Sequence, residues 1–154
     1  IFFKQKKIFY VQSRYGKNFR KFKMIKFLTI LPNQNVSDIS NFNRFLRRSS
    51  FDEIPQIFNV IKKEMSLVGP RPLLIKNELN INKKDIIFKH SVLPGITGLS
   101  QIHSKGRKRT LDEKLDHDKT YVEKKSFNLY IFILLKTLYV LLKRYKNNKT
   151  GDTL

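Results

Sequence analysis

Gly69-Pro70-Arg71-Pro72 constrains the backbone more than any other four residues of this chain. Both prolines fix φ and lack an amide donor, so no helix or central strand runs through them. Pro72 also drives Arg71 towards an extended conformation. The segment must end one element and begin another, and it holds a guanidinium on a stiff stretch. Arginine grips phosphate with two parallel hydrogen bonds. A plain turn with a solvated arginine satisfies the same four residues, and both readings stay open on these residues alone.

A second constrained stretch precedes it, Ser49-Ser50-Phe51-Asp52-Glu53-Ile54-Pro55-Gln56. Ser50 and Glu53 have the spacing of a capping box, in which serine accepts from a helix N–H and glutamate reaches back. Asp52 then falls in the first turn, where exposed N–H groups and the helix dipole hold a carboxylate ionised. Pro55 is tolerated only near a helix start. An ionised carboxylate at a fixed place can attack a phosphate as a nucleophile, and it can equally be an ordinary helix cap.

Around these anchors the pattern is mixed. Residues 8–30 read as two strands about a polar loop at Ser13–Arg20, with Gly16 in the turn. Phe22 and Met24, then Ile25 and Phe27, alternate with a break between the pairs. Residues 31–38 read as a loop, after which Ser37 or Asp38 caps a helix with Ile39, Phe42, Phe45 and Leu46 on its apolar face. Ile54, Ile57, Phe58 and Ile61 form one helical stripe. A helix is expected around Leu73–Leu79. Pro94–Gly98 reads as a turn whose N–H groups can form an anion-binding nest. A basic loop at Ser104–Thr110 leads into a charged helix, Leu111–Lys124. That helix carries Asp112, Glu113, Asp116, Asp118 and Glu123, which Lys114, Lys119 and Lys124 can pair on its own surface; a carboxylate among them can instead bind Mg²⁺. Ser126–Leu142 is the most apolar segment, shorter than the roughly 20 residues of a spanning helix, and reads as buried or interfacial. Residues 146–154 read as a frayed tail.

The chain has 154 residues, 40% of them hydrophobic, enough for one domain with a real core. Its net charge of +20 attracts polyanions: nucleic acid, anionic lipid or phosphorylated substrates. Alanine is absent while Lys, Asn, Ile and Phe abound, so an A/T-rich coding sequence accounts for part of the lysine excess. No cysteine is present, which excludes disulfide and thiolate chemistry. His90, His103 and His117 lack the spacing of a zinc site.

Four segments in this order, "IFYVQSRYGKN…KMIKFLTI", "FLRRSSFDEIPQIFNVIKKEMSLVGPRPLL", "LPGITGLSQI" and "LDHDKTYVEKKSFNLYI", resemble the bacterial sugar transferase family, the monotopic phosphoglycosyl transferases. The resemblance runs from about Ile8 to the C-terminal end. It implies transfer of a sugar-1-phosphate from a UDP-sugar to a polyprenyl (undecaprenyl) phosphate at the cytoplasmic face of the bacterial inner membrane, with release of UMP and a requirement for Mg²⁺. It matches the family's nucleophilic aspartate to Asp52, which forms a covalent phosphosugar intermediate, and its neighbour to Glu53. Lys26 and Arg71 match cations that take phosphate charge. Asp118 matches a late aspartate, and with Glu53 it is expected to handle metal or protons.

The sequence departs from the family pattern at several places. Leu28 and Ile30 stand where the pattern has Arg and Met, Leu93 replaces an arginine, Ser100 an aromatic residue, and Lys6-Lys7 a glycine. The loop from Gln101 to Arg107 is longer than the pattern, so Arg107 has no matched role. The family's re-entrant membrane helix would precede Ile1, with residues 1–7 as its exit. The expectation is a single α+β domain over 1–154, mainly helical with a small antiparallel hairpin, on the inner leaflet; a homodimer is compatible with it. Two rivals stand beside it. An inactive, truncated remnant of the transferase accounts for the lost cations. A basic nucleic-acid-binding protein accounts for the charge but not for "SFDEIPQ" or "GPRP", so no nucleic acid is expected.

Overall fold

The computed structural model describes residues 7–31, 34–35, 38–103 and 110–149. Residues 1–6 of the expected membrane-helix exit at 1–7, residues 32–33 and 36–37 of the expected loop with the cap candidate Ser37, residues 104–109 with Arg107, and the end of the tail at 150–154 lie outside the described residues.

The hairpin forms as expected. Strands β1 (Phe9–Tyr15) and β2 (Lys21–Phe27) pair antiparallel, with Tyr10 opposite Lys26, Gln12 opposite Met24 and Arg14 opposite Phe22. Alternation places these six side chains on one face, because opposed residues in an antiparallel pair point the same way. Phe22 and Met24 anchor that face in a core with Met65, Val60 and Ile96. The other face carries the Phe9–Phe27 stack, ring centroids 5.7 Å apart. The break in apolar alternation at Ile25 is where the apolar residues change faces.

Helix α1 (Asn41–Arg48) is capped by Ser40, whose Oγ accepts from the Asn43 amide, rather than by Ser37 or Asp38. Ser49 Oγ donates to Phe45 O, and Ser50 then takes a left-handed conformation, φ 60°. A 3-10 turn, Phe51–Gln56, leads into the short helix α2 (Ile57–Ile61). The Ser50 side chain makes no cap hydrogen bond; it is Ser50 O that accepts from the Glu53 amide. The expected capping box is therefore absent, since an αL residue does not hold its side chain over the following turn. The Ile54, Ile57, Phe58 and Ile61 stripe is largely exposed.

Strand β3 (Ser66–Val68) pairs parallel with β4 (Gly95–Thr97), a ladder that the sequence reading took for a Pro/Gly turn. Gly69 N–H donates to Thr97 O, and Gly95 N–H donates to Pro70 O. A Cβ on Gly95 would fall on the Gly69 backbone, so both glycines are required by the close approach of the two strands. The Gly95 amide is thus spent inside the sheet, and the expected anion nest loses that donor.

Helices α3 (Ile75–Glu78) and α4 (Lys83–Lys89) follow β3, the second capped by Asn82. After β4 come α5 (Leu99–Ile102), α6 (Leu111–Glu123) and α7 (Phe127–Lys149). Helix α7 runs past the expected limit at Leu142 and takes in part of the expected frayed tail. Val68, Leu99, Ile102, Tyr121 and Ile133 form the main core, where Tyr121 Oη donates to Val68 O. Ile133 is fully buried, while Phe127, Phe132, Leu135, Leu138 and Leu142 of the same helix are exposed. Among the described residues no helix is long and apolar enough to cross a membrane.

Candidate active site

The hairpin, the 3-10 turn and helices α5 and α7 surround one cleft of about 1090 Å³. Tyr10, Gln12, Arg14, Met24 and Lys26 enter it from the hairpin, Asp52 and Glu53 from the 3-10 turn, and Arg71 from the stretch after β3.

Lys26 reaches the cleft because it continues the alternation that buries Phe22 and Met24. Its Nζ donates to Glu53 Oε1 at 2.5 Å. Arg71 Nη2 donates to the same oxygen at 3.1 Å. Arg71 is held as the two prolines require, since the backbone before it is bonded into the β3–β4 ladder. The 3-10 turn presents adjacent carboxylates, of which Glu53 takes both cations and Asp52 takes neither as a hydrogen-bond partner. Burial alone would push the Glu53 carboxyl up, but the Arg71 and Lys26 charges and hydrogen bonds carry it below the usual glutamate range. Asp52 moves the other way: burial and then the Glu53 charge raise it, against Lys26 and Arg47. The expectation that a helix terminus stabilises the Asp52 charge is thus corrected, because desolvation and a neighbouring carboxylate outweigh it.

Four predicted site residues, Lys26, Asp52, Glu53 and Arg71, therefore meet in one cleft. The fifth, Asp118, is not among the residues lining it. It is 2% exposed, accepts from Lys89 Nζ at 2.5 Å and from Ser100 Oγ at 3.1 Å, and ties α6 to α4 and α5. Lys119 of α6 reaches Asp85 of α4 at 3.0 Å, an ion pair outside its own helix. No group of three or more His, Asp or Glu gathers as a metal site among the described residues. The Asp52–Glu53 pair is still compatible with Mg²⁺, which keeps several waters and needs only one or two carboxylates beside substrate phosphates. Asp118, buried outside the lining of the cleft, does not fit as a co-ligand.

The sequence reading missed two residues that build this site. Asn59 is fully buried. Its Nδ2 donates to Lys23 O at 2.8 Å and to Glu64 Oε2 at 2.7 Å, and its Oδ1 accepts from Ile25 N–H at 3.2 Å. It thereby closes the open edge of β2 and locks that strand to α2, fixing Lys26 relative to Glu53. A polar residue beside the apolar stripe was the signal. Arg14 is the other, legible only through its period-two relation to Tyr10 and Gln12.

Residues 1–144 match the family described as bacterial sugar transferase. The chain is 35% identical over 84% of its length to the UDP-glucose:undecaprenyl-phosphate glucose-1-phosphate transferase of Xanthomonas campestris pv. campestris, covering 30% of that protein. It is 40% identical over 72% of its length to the undecaprenyl-phosphate galactose phosphotransferase of Salmonella typhimurium, covering 23% of it. It is 31% identical over 88% of its length to a UDP-N-acetylgalactosamine-undecaprenyl-phosphate N-acetylgalactosaminephosphotransferase of Aeromonas hydrophila, covering 35%. The chain thus spans about a third of the length of these relatives or less. With the family matched over most of its residues, the chain belongs to the bacterial sugar transferases.

Proposed function

We propose that this domain moves a sugar-1-phosphate from a UDP-sugar to a polyprenyl phosphate in two displacements. An Asp52 oxygen attacks the sugar-bearing phosphorus, the P–O bond between the two phosphates breaks, and UMP leaves. A phosphate oxygen of the prenyl acceptor then attacks the same phosphorus and frees the Asp52 carboxylate. The product is a prenyl diphosphate sugar. The names of the relatives support the acceptor and the class of donor.

The observation that carries the reading is the asymmetry of the carboxylate pair. Glu53 is neutralised by Lys26 and Arg71, while Asp52, half-buried beside it, has no such partner and a raised proton affinity. A poorly solvated carboxylate with no cation bonded to it suits a nucleophile. Lys26 and Arg71 keep donors beyond their bonds to Glu53, positioned for the oxygens of a diphosphate. Asp52 and Glu53 would hold Mg²⁺. Bound there, the ion would draw charge from the phosphate oxygens.

The same reading puts the domain on the cytoplasmic face of the inner membrane. The exposed Phe127, Phe132, Leu135, Phe58 and Ile61 supply apolar surface, and the net charge of +20 favours anionic headgroups.

The decisive experiment supplies UDP-sugar and Mg²⁺ without acceptor to the full-length protein. A two-step route gives at most one UMP per enzyme and a protein heavier by one sugar phosphate, and Asp52→Asn abolishes both. UMP that forms only when prenyl phosphate is added, with Asp52→Asn active, would establish direct transfer instead.

A further inference from the structure

Arg14 is the best-buried cation of the cleft, with 8% of its surface exposed. Its Nη2 donates to Gln12 Oε1 at 2.7 Å. Its Nε and Nη1 are buried and have no hydrogen-bond partner among the described residues. A guanidinium has five donors, and burying them unmet is costly. The hairpin register puts Arg14 on the same face as Lys26, and a smaller recess of the cleft is lined by Arg14, Lys26, Glu53 and Arg71 together. One carboxylate there already serves two cations. Asp52, the remaining acid of the cleft, makes no ion pair with Arg14.

We propose that Arg14 is a third phosphate-binding cation of this cleft, holding substrate phosphate oxygens through its free Nε and Nη1 donors. Nε–H and Nη1–H point to different sides of the planar group, so each can meet a separate acceptor oxygen. Burial, with the Arg71 charge adding to it against Tyr10 and Glu78, lowers the Arg14 pKa, so an anion arriving in the recess relieves an unfavourable charge. The competing role is structural, a countercharge for the buried Glu78. The proposal rests on the transferase reading above, and it adds a residue that reading does not use.

The test measures the binding of uridine diphosphate and, separately, of a short-chain prenyl monophosphate to the full chain by calorimetry, with melting temperatures alongside. Arg14→Gln should weaken one of the two ligands by about tenfold or more. Arg14→Lys should recover part of it, because the charge returns without the fork. Lys62→Gln, an exposed change outside the cleft, removes one charge from the overall field and should leave both affinities unchanged. Weakening confined to uridine diphosphate assigns Arg14 to the donor; weakening confined to the prenyl phosphate assigns it to the acceptor. If Arg14→Gln does not fold, Arg14→Lys decides, with an expected loss of several-fold. Variants that bind both ligands like the wild type, whatever their melting temperature, overturn the role of Arg14 and leave the transferase reading standing. A wild-type chain that binds neither ligand overturns both.

Discussion

Lys26 Nζ lies 2.5 Å from Glu53 Oε1, joining the second strand of the hairpin to the turn that carries Asp52. Both side chains are more than four-fifths buried, so this contact is not an ordinary surface ion pair. Glu53→Gln keeps the shape but leaves Lys26 and Arg71 without a charged partner. A melting temperature lower by the equivalent of about 1–3 kcal/mol is expected, together with slower formation of the phosphosugar adduct. An unchanged melting temperature would show that the pair is held together by its surroundings and contributes little.

Arg71 tests whether geometry matters beyond charge. Arg71→Lys retains a cation but loses the planar fork held by the GPRP backbone. Loss of one well-placed donor to a phosphate costs about 10²-fold in turnover at the low end. Wild-type turnover in a folded Arg71→Lys protein would reduce Arg71 to a turn residue.

Asp52 and Glu53 respond to pH in opposite senses. Glu53 has a depressed pKa, so its stabilisation is present above the unfolded-state value and fades as pH falls through the folded-state value. Asp52 has a raised pKa, so its contribution is favourable at low pH and is lost as pH rises through the folded-state value. At neutral pH an ionised Asp52 therefore costs stability. Asp52→Asn should melt no lower than the wild type at pH 7, and the difference should shrink towards pH 4, near the usual aspartate value of about 3.9. The acid limb of adduct formation should lie above that value. A marked drop in melting temperature for Asp52→Asn at pH 7 would contradict this account.

Much of this was legible in the sequence, for reasons that differ by residue. The hairpin showed itself through Gly16 and the alternation of Phe22 with Met24. The stiffness of Arg71 followed from two prolines. The parallel ladder was hidden because β3 and β4 have three residues each, too few for periodicity, and because Gly69 and Gly95 read as turn residues when their task is close backbone approach. Helix α4 was missed although Asn82 caps it, because Lys83 and Lys84 open it with no apolar signal. The burial of Asp118 against Lys89 was hidden because the two are 29 residues apart, and only the fold brings them together. Arg14 was passed over since a basic residue among 32 lysines and arginines carries no mark of being buried.

Gly95→Ala tests the ladder. A Cβ there would meet the Gly69 backbone and Thr97 O, neither of which can move without breaking the pairing. Destabilisation of about 2–3 kcal/mol or more is expected, read as a large fall in melting temperature. A mild effect would mean that the strands separate easily and that Arg71 is not rigidly based.

Binding to anionic liposomes tests the proposed location. Attraction through lysines weakens as salt rises, while burial of Phe127 or Phe132 does not. Flotation with anionic vesicles should therefore be strong at low salt and weaker at high salt. Absence of binding at low salt would remove the membrane from the proposal.

Asn59 tests whether the two halves of the site are set by one buried side chain. Asn59→Leu is close in volume but removes the groups that satisfy Lys23 O and Ile25 N–H. Each polar group left buried costs about 1–3 kcal/mol, so a loss of about 2–4 kcal/mol is expected. Asn59→Asp should fare worse, since it sets a second carboxylate against Glu64 and turns an acceptor towards Lys23 O. The functional consequence separates this role from general stability. At a temperature where Asn59→Leu is still folded, Lys26 is no longer fixed relative to Glu53, and the rate of adduct formation should fall while Arg71 keeps its base on the parallel ladder. A folded Asn59→Leu protein that forms the adduct at the wild-type rate would show that Lys26 is positioned by the hairpin alone.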